Sequence, residues 1–124
     1  MKEILFKGKR VDNGEWTEGY FFKSWDKVFL LWGMTGDSPN MEEVIPETVG
    51  QYTGLTDKNG KKIFEGDILL KGFEKVLVKW NANQCRWGIY SNNYEICGFN
   101  ESTQGYFEVI GNIYDNSELL EVKK

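Results

Sequence analysis

Two carboxylates flank a glycine at Glu65-Gly66-Asp67, an arrangement that could supply a general acid and a general base. The same aspartate directly precedes the apolar run Ile68-Leu69-Leu70, so it could instead accept hydrogen bonds from its own backbone at the start of a strand. The pair therefore supports two interpretations. One is a small carboxylate-dependent enzyme working through Glu65 and Asp67, and the other is a structural corner.

Other catalytic side chains are scarce, because the sequence contains no histidine. This excludes Ser-His-Asp and Cys-His nucleophile systems and histidine-based zinc sites. Cys85 and Cys97 form no CxxC pair, and two thiols leave a zinc site two ligands short. We therefore predict that the protein is not an enzyme and needs no cofactor. We expect both cysteines to be reduced thiols in a cytoplasmic protein.

A calcium site is a further possibility at Asp57, Asn59 and Gly60. A calcium loop needs oxygen ligands at its first, third and fifth positions and glycine at its sixth, whereas Gly60 is fourth from Asp57. Asn59-Gly60 is instead a strong signal for a two-residue type I′ turn, in which both residues have positive φ. We predict a hairpin here between strands at 51–53 and 62–64.

Aromatic residues make up 15% of the chain, and some could stack on nucleobases if lysines lay nearby. The possible binding surface on this interpretation comprises Lys58, Lys61, Lys62, Trp80 and Trp87. The net charge of −4 opposes binding to phosphates. Aromatic residues are also abundant in cores and subunit interfaces, so a nucleic-acid-binding accessory protein is an alternative rather than our first prediction.

Short apolar runs between frequent turns must position these residues. In 16–22 neither of the two alternating faces is polar, so we expect both to be covered. Val28 to Trp32 predicts a buried strand, GMTGDSPN at 33–40 predicts a loop, and 107–114 predicts the last strand. A cap at 115–117 predicts a short helix over 118–121. No apolar run is long enough for a membrane span.

The predicted fold is mainly β. We expect a small SH3-like barrel with a short C-terminal helix over residues 46–124, and an additional N-terminal β-rich subdomain over residues 1–45. A chain of this length carries more large aromatic side chains than a small core readily hides. The excess favours association between copies of the chain.

Three blocks of the sequence resemble the YopX-like family of phage and prophage proteins: ILFKGKRVDNGEWTEGYF, ETVGQYTGLTDKNGKKIFEGDIL and FEVIGNIYDNSELL. The resemblance implies an SH3-like barrel core, an origin in a phage or integrated phage element, and self-association. It implies no activity and assigns no functional residues. We therefore predict a non-enzymatic, self-associating binding protein in the cytoplasm of a bacterial host cell, whose other partner is an unidentified host or phage protein.

Overall fold

The computed structural model describes residues 4–91, 94–100 and 103–120. In these ranges the chain is mainly β, as predicted, and forms two compact units, Met1–Tyr52 and Thr53–Lys124. Short 3₁₀-helices lie at Pro46–Thr48, Gln104–Tyr106 and Ser117–Leu120. The strands are β1 Phe6–Lys9, β2 Trp16–Ser24, β3 Lys27–Thr35, β4 Ser38–Val44, β5 Gly50–Thr56, β6 Lys62–Phe64, β7 Asp67–Lys71, β8 Glu74–Asn81, β9 Arg86–Ser91, β10 Tyr94–Gly98 and β11 Glu108–Asn112.

The strands of the first unit belong to an antiparallel sheet with the order β4-β3-β2-β1-β5-β6, and the boundary between the units falls within β5. Alternate residues of β3 and β4 point to one side and form the core of this unit, with Val28, Leu30 and Val44 buried. Phe6 and Val49 pack against that cluster. The predicted strand at Val28 to Trp32 is confirmed as part of β3.

The second unit contains a five-stranded antiparallel sheet with the order β10-β9-β8-β7-β11. Strictly alternating residues of β8, Val76 and Val78, lie beside Ile89 of β9 in its core. Phe99 and Phe107 close the cluster with their rings edge-on at 5.6 Å between centroids. This core supports the hairpin between β7 and β8, which belongs to the same unit.

The predicted SH3-like barrel is not confirmed, because the described strands leave both sheets open. A barrel requires its first and last strands to pair, whereas β10 and β11 stand at the two ends of the sheet of the second unit and are not neighbours among the described strands. The predicted C-terminal helix is not confirmed either. Ser117–Leu120 is one 3₁₀ turn in which Leu119 N–H donates to the Asn116 carbonyl at 2.9 Å, and so short a segment cannot offset the cost of nucleating an α-helix. Glu121, the predicted last residue of that helix, lies outside the described residues.

The loop predicted at 33–40 is wrong, since most of these residues extend β3 and β4. Met34 pairs with Pro39 and Thr35 pairs with Ser38. This leaves Gly36 and Asp37 as the turn, with Gly36 at a φ of +62°. The residue types that predicted a loop therefore serve a two-residue hairpin turn.

The hairpin at Asn59-Gly60 is confirmed, but its predicted turn type is wrong. A type I′ turn requires positive φ at both of its central residues. Gly60 has a φ of +83°, but the φ of Asn59 is not positive. The carboxylate of Asp57 accepts the Asn59 N–H at 2.8 Å and the Lys61 N–H at 2.9 Å. This side-chain bonding fixes the turn with a positive φ at the glycine alone.

Candidate functional site

A set of apolar side chains lies on the side of the first sheet opposite the core of its unit. Strand pairing defines it as two rows: Tyr20 lies beside Leu31 and then Met41, while Phe22 lies beside Phe29. Residues paired across antiparallel strands share a face, so these five residues form one surface, which we call the aromatic face. Tyr20 is 59% exposed and Phe22 49% exposed.

Alternation along the strands explains why this surface exists. The neighbours of Phe29 and Leu31 along β3 are Val28 and Leu30, which are buried in the core of the unit. Successive residues of a strand point to opposite faces of the sheet, and in this part of β3 all of them are apolar. Val28 and Leu30 fill the core, so Phe29 and Leu31 must point away from it. The prediction that both faces of 16–22 are covered is therefore wrong for Tyr20 and Phe22 within this chain, because both side chains remain about half exposed.

The free edge of β4 is protected against pairing with another strand. Pro39 lies in β4 and has no N–H to donate. Near the other end of the strand, Val11 N–H donates to the Glu43 carbonyl at 3.0 Å, and the Arg10 guanidinium lies 3.2 Å from Glu42. Prolines and charged side chains are how natural sheets block edge-to-edge association, so pairing of another strand with this edge is disfavoured.

The predicted binding surface falls on several elements of the second unit. Lys58 and Lys61 are exposed in the turn before β6, and Lys62 begins β6. Trp80 and Trp87 are cross-strand partners on β8 and β9, with ring centroids 5.1 Å apart. Trp87 is only 8% exposed, so its ring belongs to the core and is closed to a nucleobase. That these five residues act together stays a prediction.

The acidic residues singled out in the sequence bind backbone groups. Besides Asn59 and Lys61, the buried Asp57 carboxylate accepts the Val109 N–H at 3.0 Å and so ties the turn to β11. Asp67 is buried and accepts the Phe64 N–H at 2.8 Å, across the corner that Glu65 and Gly66 form. These bonds give both aspartates a structural role.

A polar cluster covers the outer side of β8, β9 and β10. Glu95 accepts hydrogen bonds from Arg86 Nη2 at 2.5 Å and from Asn81 Nδ2 at 2.6 Å, and these two bonds lower the pKa of Glu95. Gly88 leaves the space that the carboxylate occupies, because a Cβ there would collide with Glu95 Oε2. The cluster satisfies its own members and ties three strands together.

Neither a metal site nor a membrane-spanning segment stands out in the described part of the chain. Within 4–91, 94–100 and 103–120, no three His, Cys, Asp or Glu side chains lie close enough together to hold a metal ion. In the same ranges, no helix has the length and apolar character that crossing a membrane requires.

The aromatic face was only partly predictable from the sequence. The alternation in β2 places Tyr20 and Phe22 on one side, but nothing in their types indicates which side is open. Phe29 and Leu31 lie within a continuous apolar run, and no pattern in the sequence indicates which face Met41 occupies. Their shared surface follows from the strand register alone.

Comparison with known proteins places this architecture in a family. A family model described as YopX protein matches residues 9–121. No curated protein is similar enough to count as a relative. The chain is similar to the crystal structure of protein EF1440 from Enterococcus faecalis, with a TM-score of 0.60 and 24% identity over 98% of this chain and 100% of that chain, which shows a shared fold. The resemblance of the three sequence blocks is thus confirmed, and this chain belongs to the YopX protein family.

Proposed function

We propose that the protein acts by binding rather than by catalysis, and that it self-associates through the aromatic face of β2, β3 and β4. The observation that carries this proposal is the row of apolar side chains opposite the core, with Tyr20 and Phe22 about half exposed. Contiguous exposed apolar surface on a folded domain marks a site of interaction. Aromatic residues contribute most of the energy at such sites.

The partner we favour is a second copy of the chain, docked face to face. Pro39 and the contacts of Arg10 and Val11 disfavour pairing along the β4 edge, so we favour the aromatic face of this sheet over its β4 edge as the interface. A two-fold axis would place the same residues of both copies against each other, as in most dimers. Glu43 of β4 pairs with Phe29 and places a polar side chain at the margin of the aromatic face.

The area of the aromatic face can be compared with the area that a stable dimer interface buries. Five half-buried side chains offer at most about 500 Å² per copy if a whole aromatic side chain buries about 200 Å². A stable interface needs about 800 Å² per partner. A register shift between Leu31 and Gly33 lets Met34 pair with Pro39, on the same side of the sheet as Met41. Met34 is exposed, and we expect it to supply part of the remainder.

Replacing Phe22 by serine should weaken self-association by about 30-fold or more, because truncating a central aromatic anchor costs about 2 kcal/mol of binding energy. The unfolding of the monomer should change little, since the ring is half exposed. Light scattering of wild type and variant across a dilution series measures the effect.

The matched control is Tyr94→Ser on β10, which removes a side chain that is 79% exposed outside the aromatic face. We expect it to associate as wild type does. If Phe22→Ser and wild type have the same mass at every concentration, the aromatic face is not the interface.

The origin and location that we propose follow from the family resemblance and the thiols. We propose a phage or prophage origin and action in the cytoplasm of the bacterial host cell, alongside an unidentified host or phage protein. Cys85 is exposed and Cys97 is half-buried, and both are free thiols. Free thiols suit a reducing compartment.

A further inference from the structure

One five-residue pattern occurs twice, once in each compact unit. KSWDK spans 23–27 and KGFEK spans 71–75, so both read lysine, any residue, aromatic, acid, lysine. The structure places the first at the hairpin between β2 and β3 and the second at the hairpin between β7 and β8. The last paired residues before the turn are Ser24 and Lys27 in the first hairpin. In the second hairpin they are Lys71 and Glu74. Each hairpin therefore turns over two residues.

Both hairpins present their aromatic side chain to solvent. Trp25 is 94% exposed and Phe73 is fully exposed, and no other large apolar side chain in the described residues reaches either value. Rings in such positions add nothing to a core. They are the most accessible flat apolar surfaces that the described residues offer to a ligand.

The backbone at Trp25 adds an independent observation. Its φ is +60°, a left-handed conformation that glycine adopts freely and that a bulky residue adopts at an energetic cost. At the other hairpin Gly72 takes the left-handed position, with a φ of +61°. An exposed tryptophan where the turn favours glycine points to a role in binding.

The side chains around each ring indicate what would bind. All four lysines of the two patterns are exposed: Lys23, Lys27, Lys71 and Lys75. Each ring lies between two lysines in sequence, which suits a nucleobase flanked by phosphates. The ammonium group of Lys71 lies 5.7 Å from the centroid of the Tyr106 ring. A lipid surface fits less well, because the carboxylates of Asp26 and Glu74 directly follow the rings and would be driven towards the acyl region together with them.

We propose that the hairpin tips at Trp25 and Phe73 bind single-stranded nucleic acid, each ring stacking on one base while its flanking lysines contact phosphates. The hairpin tips are a different surface from the one predicted from sequence, which includes the buried Trp87. The net charge of −4 makes the affinity modest and sensitive to salt.

Fluorescence anisotropy of a labelled oligo(dT) strand tests the proposal. Wild type should bind at low salt, with a logarithmic salt dependence no steeper than about −3, since each of the four lysines contributes about 0.7 for single strands. The double variant Trp25→Gly with Phe73→Ser should bind at least about tenfold more weakly. Glycine relieves the positive φ at residue 25, so this variant should remain folded, which circular dichroism verifies.

Charge-matched variants separate the tips from general electrostatics. Lys23→Glu with Lys75→Glu should reduce binding strongly, whereas Lys58→Glu with Lys61→Glu makes the same charge change at another exposed turn and should reduce it less. Equal losses for the two pairs overturn the proposal, as does no binding by wild type at low salt. Binding to phosphatidylserine vesicles without binding to oligo(dT) overturns it in favour of a lipid surface. A lower oligomer mass for the Trp25 and Phe73 variant overturns it in favour of an interface between copies.

Discussion

Replacing Asp57 by alanine should lower the free energy of unfolding by about 3–5 kcal/mol. The buried carboxylate accepts three backbone N–H groups, from Asn59, Lys61 and Val109, at 2.8, 2.9 and 3.0 Å. Hydrogen bonds to a charged group contribute about 1.5 kcal/mol or more each, and alanine leaves all three donors without their acceptor. Denaturant unfolding followed by tryptophan fluorescence measures the loss.

Two further substitutions give this prediction its controls. Asp57→Asn keeps one acceptor oxygen and should cost about half as much. Asp37→Ala removes an exposed carboxylate from the hairpin turn between β3 and β4 and should change the free energy by less than about 0.5 kcal/mol. An Asp57→Ala protein that unfolds at the same denaturant concentration as Asp37→Ala would show that the bonds to the turn and to β11 are not important for stability.

The same carboxylate gives the stability a defined pH dependence. Burial raises the pKa of Asp57, but hydrogen bonds from Val109, Lys61 and Asn59 outweigh burial and hold the pKa below its ordinary value of 3.8. A group whose pKa is lower in the folded chain contributes stability that is complete above the unfolded value and is lost as the pH falls through the folded value. Wild type should therefore lose stability below about pH 4. Asp57→Asn should lose less over the same interval.

Replacing Gly19 by alanine should cost about 3 kcal/mol, because β2 and β3 approach each other too closely at this point for a side chain. A Cβ at residue 19 would lie 2.6 Å from the Leu31 carbonyl oxygen and 2.9 Å from its carbon. Backbone atoms of a paired strand cannot rotate away as a side chain can, so the strands themselves must move. Thermal and denaturant unfolding measure the cost.

Gly33→Ala in the neighbouring strand is the matched control, since its Cβ would have its nearest contact at 3.8 Å, with Asn40 Nδ2. We expect it to change stability by less than about 1 kcal/mol. Because Leu31 belongs to the aromatic face, Gly19→Ala should also weaken self-association. Equal stability of the two alanine variants would mean that β2 and β3 are further apart than the structure shows.

Residue types predicted the strands well where turn signals bracket an apolar run. The returning strand at 16–22 and the apolar run at 28–32 are both confirmed, although β3 continues beyond the predicted end to Thr35. The error at 33–40 has a physical cause. Glycine, proline and asparagine indicate turns, but a two-residue turn needs only Gly36 and Asp37, and strand pairing with β3 holds the remaining polar residues.

The position of the site depends on interactions that local sequence does not encode. The link between the turn at 57–61 and β11 depends on the bond from the Val109 N–H to Asp57, and these two residues lie 52 positions apart in sequence. The burial of Trp87 depends on packing against Phe99 and Phe107 in the core of its unit. The positive φ of Trp25 was not predictable, because tryptophan carries no preference for that conformation.

Sedimentation velocity of the intact wild-type chain, from micromolar to millimolar concentration, tests self-association through the aromatic face most directly. We predict that heavier species increase with concentration and that the same runs with Phe22→Ser remain monomeric over most of the range. A wild-type chain that sediments as a monomer at every concentration would contradict the account.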